Sequence, residues 1–337
     1  MTVSVVIPTF NSARCIGSVL DALLACDMPR GDMELIICDA GSTDETLGIC
    51  RAKGVDAILP NPLKTGEAGK AVGVRAARND VIALIDSDNV VPDAGWLRAM
   101  LDPFNEPGIV ASEPIAYYCR PGDGYITRYC ARLGMNDPLC LFLGNYDRVC
   151  GVTGKWTGLP VEAADRGSWL EVTLRKGPIP TIGANGTCFR RSFLLHYLKD
   201  GAYLNDIDIL YDAVSEAGAV KIAKVKTGII HIFAGTARVF ARKQRRRIED
   251  FLYYRKAGGR SYPWSALPKT GVAVFALCCV TVVPLVVQAV IGAVRAPDTC
   301  WLFHPVACWI TLWCYGMGVV RSLFTSAPSD RSNWKQT

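Results

Sequence analysis

The chain has 337 residues, of which half are apolar and a fifth are charged, and its formal net charge is +6. This apolar fraction is high for a wholly soluble protein, and the excess lies near the C-terminus. The charge is modest, and we expect no nucleic-acid partner. The 14 cysteines include no CxxC pair and five lie in apolar stretches, so we interpret them as small buried hydrophobic residues rather than as disulfides or a zinc site.

Short apolar strands alternate with helices at the start of the chain. The run Val3–Pro8 predicts a strand, and Asn11 or Ser12 can cap the helix that follows it. The apolar face of this helix is predicted to carry Ile16, Val19, Leu20, Leu23 and Leu24. Further strands and helices are predicted at Glu34–Asp39, Asp44–Lys53, Ala57–Leu59, Glu67–Arg78 and Val81–Asp86. The alternation predicts an α/β fold with a mostly parallel, doubly wound sheet.

Polar residues follow three of the predicted strands. Thr9–Asn11, Asp39–Asp44 and Asp86–Asp88 lie at carboxyl ends of strands, where open α/β sheets bind ligands. We therefore expect the functional site at this edge.

The first strand begins directly after Thr2 without a secretory signal pattern, so we expect this domain to stay in the cytosol.

The middle of the chain is less regular. Residues 110–180 are rich in Gly, Pro, Tyr and Trp and predict a ligand-shaping region with long loops, after which Val220–Val225 and Ile229–Phe233 predict strands. Residues 236–269 contain ten Arg or Lys residues and only two acidic ones. A helical face with Ile248, Phe251, Leu252 and Arg255 predicts a basic amphipathic helix at a membrane interface, and a solvated charged linker is the alternative.

Two stretches near the C-terminus, Gly271–Val294 and Thr299–Val320, contain no Asp, Glu, Lys or Arg. A helix rises about 1.5 Å per residue, so each could cross the roughly 30 Å hydrocarbon core of a bilayer. Residues 295–298 alone separate them, which predicts a transmembrane hairpin over 270–321, kinked by Pro284. A pair of buried core helices is the alternative. The flanking Arg and Lys residues predict a multi-pass protein of the cytoplasmic (inner) membrane, with the N-terminal domain and a tail of residues 322–337 facing the cytoplasm.

The triplet Asp86-Ser87-Asp88 follows a buried strand. Two carboxylates one residue apart can both turn toward Mg²⁺ or Mn²⁺, which prefer oxygen ligands and keep positions open for phosphates. His231 could complete such a site, although a solvated turn and a structural histidine are the ordinary alternatives. Asp39, at another strand end, could accept a hydrogen bond from a nucleobase imide.

Two other nucleotide-binding patterns are excluded. Gly66–Ala71 has the wrong glycine spacing for a P-loop, and Ala71 stands where a Ser or Thr would bind magnesium. The first strand is not followed by GxGxxG, which disfavours a nicotinamide enzyme.

The motifs VSVVIPTFN, LIICDAGSTDET and GEAGKAVGVRAARNDVIALIDSDNVVP, in this order, resemble the family 2 glycosyltransferases with the GT-A fold. IGANGTCFRRS and LNDIDILYDAVSEAG continue the resemblance. It implies a GT-A catalytic domain over residues 1–235 with a mostly parallel mixed sheet, followed by the basic segment 236–269 and the hairpin.

The resemblance implies a role for each matching position. Nucleotide-sugar binding is implied for Pro8, Thr9, Asn11, Asp39, Ser42, Lys70, Asp86 and Ser87. The implied ligands of a Mn²⁺ or Mg²⁺ ion are Asp86, Asp88 and His231. The catalytic base is implied at Asp206 or Asp208, and Asn205 in place of the family's preceding acid leaves this choice open. Candidates for contact with the diphosphate or the acceptor are Asn185, Gln244, Arg245 and Arg247.

The run Gln244–Arg247 also resembles the QxxRW motif of membrane-bound polysaccharide synthases, with Ile248 where the motif has Trp. Processive synthases generally have more membrane helices than two, so we expect transfer of one sugar per reaction. Binding of lipid headgroups by the same basic run is the alternative.

The resemblance implies an inverting, metal-dependent glycosyltransferase. The resemblance implies a UDP- or GDP-sugar donor, and the apolar hairpin suggests a lipid-linked acceptor, either a polyprenyl phosphate or a polyprenyl-diphosphate-linked glycan of cell-surface glycan synthesis. The alternatives are a catalytically weak scaffold subunit of a polysaccharide-assembly complex, a processive polysaccharide synthase, and a nucleotidyltransferase.

Overall fold

The computed structural model describes residues 1–183, 185–198, 203–257, 260–264, 267 and 269–324. Most of the predicted tail, from residue 325 on, and five residues of the predicted basic segment lie outside these ranges. The strands are β1 Val3–Thr9, β2 Met33–Asp39, β3 Ala57–Pro60, β4 Val81–Leu84, β5 Asn89–Val90, β6 Ile109–Tyr118, β7 Glu162–Asp165, β8 Trp169–Arg175, β9 Thr187–Arg190 and β10 Ala219–His231. The helices are α1 Ala13–Leu24, α2 Thr46–Ala52, α3 Gly66–Ala76, α4 Trp96–Leu101, α5 Tyr125–Leu133, α6 Leu139–Leu143, α7 Arg191–Leu198, α8 Asp206–Ala217, α9 Ala237–Ala257, α10 Lys269–Thr281, α11 Val283–Arg295 and α12 His304–Ser322.

The strands form one mixed sheet in the order β3-β2-β1-β4-β9-β6-β10-β8-β7, with β5 paired to β10. The predicted parallel arrangement is confirmed for β1 to β4. In the second half, β9 lies antiparallel between β4 and β6, and β7, β8 and β5 add antiparallel pairs. Among the described strands of this half, β6 and β10 form the one parallel pair. The prediction of a mostly parallel sheet is wrong for the rest of it; for example, only residues 166–168 separate β7 from β8, and so short a connection requires antiparallel pairing.

Alternate residues of β1 face two different cores, because side chains on a strand point alternately to either face. Val3 and Val5 pack with Ile16 of α1, whereas Val6 packs with Val74 of α3. The strand is buried on both faces, as its β-branched sequence predicts. Leu24, predicted on the apolar face of α1, is instead 37% exposed, because successive helical residues point about 100° apart and the preceding residue already faces the core.

Two glycines of α3 let this helix lie against the sheet. A Cβ atom at Gly73 would clash with Val6 Cγ1, and one at Gly69 would lie 2.9 Å from Pro8 Cβ. The glycines that imitate a P-loop in the sequence therefore serve close helix–sheet packing. This packing carries Lys70 to the carboxyl ends of β1 and β4.

The first predicted membrane span is bent rather than straight. α10 and α11 meet at 95°, and Val282 between them has a φ of 61°. Pro284 has no N–H to donate, so helical hydrogen bonding is interrupted at this point. The pair satisfies the length and apolarity of one span only when taken together, whereas Thr299–Ser322 does so by itself.

The basic helix α9 packs along α12. Cys314 Sγ donates to the carbonyl oxygen of Ala241, and Ile248 lies so close to Gly318 that a Cβ there would be 2.6 Å from Ile248 Cγ2. Ile248 and Leu252 are buried. They therefore pack against protein, and the prediction that this apolar face meets lipid headgroups is wrong for these two residues.

Candidate active site

A cavity of about 1670 Å³ lies at the carboxyl ends of β1, β4 and β10 and extends between α9 and the C-terminal helices. Its wall brings together most of the residues singled out in the sequence. Those on the wall are Pro8, Thr9, Lys70, Asp86, Ser87, Asp88, Asn185, Asp206, His231, Arg245 and Arg247. Asn11, Asp39, Ser42, Asp208 and Gln244 do not lie on this wall.

Asp39 lies at the end of β2 and lines a smaller adjoining cavity of about 420 Å³. Its carboxylate accepts hydrogen bonds from Thr9 Oγ1 at 3.1 Å and from the backbone N–H groups of Gly41 and Ser42 at 2.9 and 2.8 Å. Gly41 has a φ of 90°, which glycine adopts without strain. The turn therefore keeps one carboxylate at the cavity in a fixed orientation.

Asn11 and Ser42 connect the loops after β1 and β2. The Asn11 backbone N–H donates to Ser42 Oγ at 2.9 Å, and Asn11 Oδ1 accepts from the Thr43 backbone N–H at 2.8 Å. Neither side chain lines either cavity. The structure thus shows both residues joining loops, and their predicted contact with a nucleotide stays a prediction.

Asp86 is paired with Lys70 of α3. Lys70 Nζ lies 3.2 Å from Asp86 Oδ1, and the lysine is buried. Burial by itself would lower the pKa of Lys70, but the carboxylates of Asp86, Asp206 and Glu67 outweigh burial and raise it above its usual value. Lys70 is therefore a permanent cation beside the acidic triplet.

Asp88 lies beside His231 because β5 pairs with the end of β10. Asn89 is in register with His231, and the Ile232 N–H donates to the Asp88 carbonyl oxygen at 2.9 Å. Asp88 Oδ1 lies 3.6 Å from His231 Nε2, and Asp88 Oδ2 lies 3.8 Å from Lys243 Nζ. This pairing brings together two predicted metal ligands that are 143 positions apart in the sequence.

The predicted three-residue metal site is only partly assembled. Asp88 and His231 are adjacent, while Asp86 faces Lys70. In the described part of the chain, three or more His, Cys, Asp or Glu side chains do not converge as a metal site. The role of Asp86 as a direct ligand stays a prediction.

The two candidate bases of α8 have different surroundings. Asp206 lies at the first position of the helix and lines the cavity. Asp208 is buried away from it, accepts a hydrogen bond from the Tyr262 N–H at 2.7 Å and forms an ion pair with Arg260. Asp206 therefore borders the cavity and Asp208 does not, and the choice of base between them stays a prediction.

Within the motif on α9, the side chains have separate roles. Gln244 is fully buried, and its Nε2 donates to the Asn136 carbonyl oxygen at 2.7 Å. Arg247 donates to that same oxygen at 3.2 Å and to Gln244 Oε1 at 2.7 Å. Gln244 therefore holds the loop after α5, and its predicted contact with the diphosphate or the acceptor stays a prediction. Arg245 is exposed and lines the cavity.

A buried ionic cluster beneath the cavity was not predicted from the sequence. Glu113 Oε1 and Oε2 lie 2.6 Å from Arg148 Nη1 and 2.7 Å from Lys224 Nζ, and Asp147 Oδ2 lies 2.5 Å from Arg148 Nη1. Arg148 Nη2 also donates to the Asn185 carbonyl oxygen at 3.3 Å. The cluster thus supports the cavity wall, on which Asp147 and Asn185 both lie.

Asp147 should make stability depend on pH. Burial raises its pKa to about 7, and Glu113 adds to this shift while the Arg148 guanidinium opposes it. The unfolded chain releases this proton near its usual pKa of about 3.9. Between about pH 4 and 7 the folded state therefore binds more protons, so this group contributes less to the free energy of unfolding as pH rises through that window.

We expect Asp147→Asn, which cannot ionise, to remove this dependence. Relative to the variant, the wild type should become less stable as pH rises from about 4 to 7. Thermal unfolding of both proteins in detergent at a series of pH values measures the difference. Parallel pH profiles would contradict this account of Asp147.

The family model described as "Glycosyl transferase family 2" matches residues 4–151. Glucosyl-3-phosphoglycerate synthase of Mycolicibacterium smegmatis is 35% identical over 109 residues, which cover 30% of this chain and 36% of that protein. Poly(ribitol-phosphate) beta-N-acetylglucosaminyltransferase TarS of Staphylococcus aureus is 29% identical over 96 residues, which cover 27% of this chain and 17% of that protein. The similarity thus spans about a third or less of the length of these two curated relatives.

Among solved structures, the mannosyltransferase PcManGT from Pyrobaculum calidifontis, in complex with GDP-Man and Mn²⁺, is similar over 96% of this chain and 87% of that chain. The TM-score is 0.52 and the sequence identity is 17%, so this similarity concerns the fold. The predicted fold class is confirmed, with the correction to the sheet given above. Residues 4–151 match the model of glycosyl transferase family 2, and the chain has a GT-A-like fold.

Proposed function

We propose that the protein is a metal-dependent, inverting glycosyltransferase that moves one sugar from a UDP- or GDP-sugar to a lipid-linked acceptor at a membrane. The observation that carries this proposal is the continuity of the large cavity. It begins at Asp86–Asp88 and His231 and reaches apolar residues of α10 and α12, among them Phe275 and Leu312. A polar donor and a partly apolar acceptor can therefore occupy opposite ends of one cavity.

The donor nucleotide would occupy the edge formed by β1, β2 and β4. The small cavity with Asp39 adjoins the large one, since Ala40 and Asn61 line both. A carboxylate can accept a hydrogen bond from the imide of uracil or from the N–H groups of guanine, so the site suits either base. The fold relative with bound GDP-Man, and the glycosyltransferase names of the sequence relatives, support a nucleotide-sugar donor.

The residues at the acidic triplet fit a divalent ion. Ligand atoms of a small divalent ion each lie about 2.1 Å from it, so two of them can be separated by 3.6 Å, as Asp88 Oδ1 and His231 Nε2 are. Asn136 Nδ2 lies 3.2 Å from His231 Nδ1. Binding of an ion at His231 Nε2 would place the ring proton on Nδ1, and the Asn136 amide would turn over so that its oxygen accepts this proton. When bound, Mn²⁺ or Mg²⁺ would neutralise charge on the leaving diphosphate. The Mn²⁺ bound by the fold relative supports this assignment.

The side chains of this protein would carry out the remaining steps. Lys70 and Arg245, both on the cavity wall, can bind phosphate oxygens as negative charge builds on them. Asp206 would accept the acceptor's proton while the acceptor oxygen bonds to the anomeric carbon and the bond to the diphosphate breaks. A single displacement of this kind inverts the anomeric centre. If the acceptor is a phosphate, Asp206 mainly orients it.

The acceptor would be a polyprenyl phosphate or a polyprenyl-diphosphate-linked glycan used in cell-surface glycan synthesis. Its chain can follow the apolar part of the cavity, and its headgroup can reach the basic side chains of α9. The basic residues beside the apolar helices support a position of the catalytic domain at the anionic cytoplasmic face of the membrane. The sequence predicts that the C-terminal helices cross the membrane twice. The packing of these helices favours a different topology, in which they attach to one leaflet of the membrane.

The acceptor class can be tested with a radiolabelled donor. The purified protein is incubated with a panel of UDP- and GDP-sugars and either total polar lipid or soluble sugars. We expect label to move into the organic phase only with lipid. Transfer to soluble sugars that does not depend on lipid would contradict the lipid-linked acceptor.

The donor pocket can be tested with Asp39→Ala. The substitution removes the base-facing carboxylate and the acceptor that orders the turn, so UDP or GDP affinity should fall by about 10- to 100-fold. Calorimetric titration of each nucleotide in the presence of Mn²⁺ measures this change. Asp21→Ala, an exposed acid on α1, is the matched control and should leave affinity unchanged. Equal affinity of wild type and Asp39→Ala would exclude this pocket.

A further inference from the structure

The C-terminal helices present an apolar outer surface. Each of the three helices packs one face against protein and exposes the other. The exposed apolar side chains are Val272, Val274, Leu277 and Val280 of α10, Val283, Val286, Val287, Val290, Ile291 and Val294 of α11, and Val306, Trp309, Trp313, Met317, Val319 and Val320 of α12, with Leu302, Leu323 and Phe324 beside its ends. Such a surface is larger than single scattered residues and marks an interaction site.

The helix α12 contacts the catalytic domain or α9 along its whole length. His304 Nδ1, at its start, lies 2.8 Å from Tyr129 Oη, and Tyr315 Oη donates to Asp137 Oδ2 at 2.5 Å. Arg321, near its end, lies 3.7 Å from Glu249 of α9. If α12 crossed a bilayer, these acidic groups and the basic side chains of α9 beside them would lie at the depth of the hydrocarbon core, where charged groups are costly.

Both ends of the bent pair also contact the catalytic domain. At the start of α10, a Cβ on Gly271 would lie 2.5 Å from the carbonyl oxygen of Phe142 in α6. At the end of α11, Arg295 donates to the carbonyl oxygen of Val152. Since its two ends meet the same domain, the pair enters and leaves a membrane on the same side.

The charges around the apolar surface select a membrane as its occupant. Lys269, Arg295 and Arg321 lie at ends of the three helices and are exposed, as cations that reach headgroups would be. Between residues 269 and 322 the sequence contains one acidic residue, Asp298, which is paired with Arg128. α9 adds eight Arg or Lys residues against two acidic ones. Trp309 and Trp313 on the exposed face suit the interface between headgroups and hydrocarbon.

We propose that α10, α11 and α12 attach the protein to a single leaflet of a bilayer rich in anionic lipid, and that the chain does not cross the membrane. The apolar surface lies in the outer part of the hydrocarbon, and the basic residues lie among the headgroups. Because Leu312 and Val319 of α12 also line the large cavity, the cavity would open at the level of that leaflet.

The proposal is tested by measuring membrane depth along α12. Nitroxide side chains are introduced through an unnatural amino acid, so that the native cysteines do not interfere, at Leu302, Trp309, Trp313, Val320 and Phe324. The full chain is bound to vesicles of phosphatidylcholine and phosphatidylglycerol, and each depth is measured from collisions with oxygen and with a water-soluble nickel chelate. We expect all five labels within about 5–10 Å of the headgroup level. A crossing helix would instead spread them over about 33 Å, which would overturn the proposal.

The loop between α11 and α12 provides a second measurement. A label at Pro297 should collide with nickel chelate added outside the vesicles, as should a control label at the exposed Glu106 of the catalytic domain. If the label at Pro297 were protected from the chelate while the label at Glu106 remained accessible, the chain would cross the membrane, and the proposal would be contradicted. Spin–spin broadening at the five labelled positions without contact with oxygen would show that a second copy covers the surface, and would also contradict the proposal. Neither result would affect the proposed glycosyl transfer.

Discussion

Asp88→Asn should lower kcat/KM for sugar transfer by about 1000-fold, equivalent to roughly 4 kcal/mol of transition-state stabilisation. The amide keeps the size of the side chain but removes the negative charge that, with His231, would hold the divalent ion. The loss should not be recovered by raising the Mn²⁺ concentration into the millimolar range. Steady-state assays of nucleotide release over a series of metal concentrations measure both effects.

Asp80→Asn is the matched control for this substitution. Asp80 is exposed just before β4, the strand whose other end leads to the acidic triplet. Its replacement changes the net charge equally but should leave transfer unchanged. A wild-type rate for Asp88→Asn, or an equal loss for both variants, would contradict a specific role of Asp88.

Asp206→Asn should lower kcat by about 10²- to 10⁴-fold, because the amide cannot accept the proton of the acceptor. The affinity for the donor nucleotide should remain close to that of the wild type. If the acceptor is a hydroxyl group, the loss of kcat should be about 10⁴-fold. If it is a phosphate, which needs less help from a base, the loss should be about 10²-fold. Single-turnover assays with saturating donor separate the chemical step from binding. Unchanged single-turnover rates would exclude Asp206 as the base.

Asp208→Asn distinguishes the two carboxylates of α8. This change breaks the buried ion pair with Arg260, and loss of one partner of such a pair typically costs a few kcal/mol. We expect a lower thermal unfolding temperature, while the transfer rate per folded molecule is retained. A loss of rate without a loss of stability would return the catalytic role to Asp208.

The elements that could be predicted from the sequence are those whose apolar residues are also the residues buried in the structure. β1 and β2 are mostly apolar and buried on both faces, and each ends in the polar residues that lie at the ligand edge. The acidic triplet and His231 could be placed together only through the family resemblance. Their contact depends on the short strand β5, whose two residues have no periodicity that a pattern can detect.

Other features depend on contacts between distant segments. Glu113, Arg148 and Lys224 come from three separate parts of the chain, and each looks like an ordinary surface charge until the sheet buries it. Similarly, the amphipathic pattern that includes Ile248 is typical both of a helix at a membrane interface and of a helix that packs on protein. The sequence alone does not show that Ile248 packs on Gly318. Pro284 did indicate a kink in the first apolar segment, but a bend of 95° follows from the packing of both its halves on the catalytic domain.

The measurement that tests the central claim most directly is release of UDP or GDP by the detergent-purified protein across a panel of nucleotide sugars. The assay is run with Mn²⁺, Mg²⁺ or EDTA, with and without polar lipid, and on wild type and Asp88→Asn in parallel. The account predicts turnover of one donor that requires a metal, increases with lipid and disappears in the variant. If the wild type binds the donor but shows no turnover above Asp88→Asn under any condition, the protein is not a glycosyltransferase, and a catalytically inactive scaffold would be the better description.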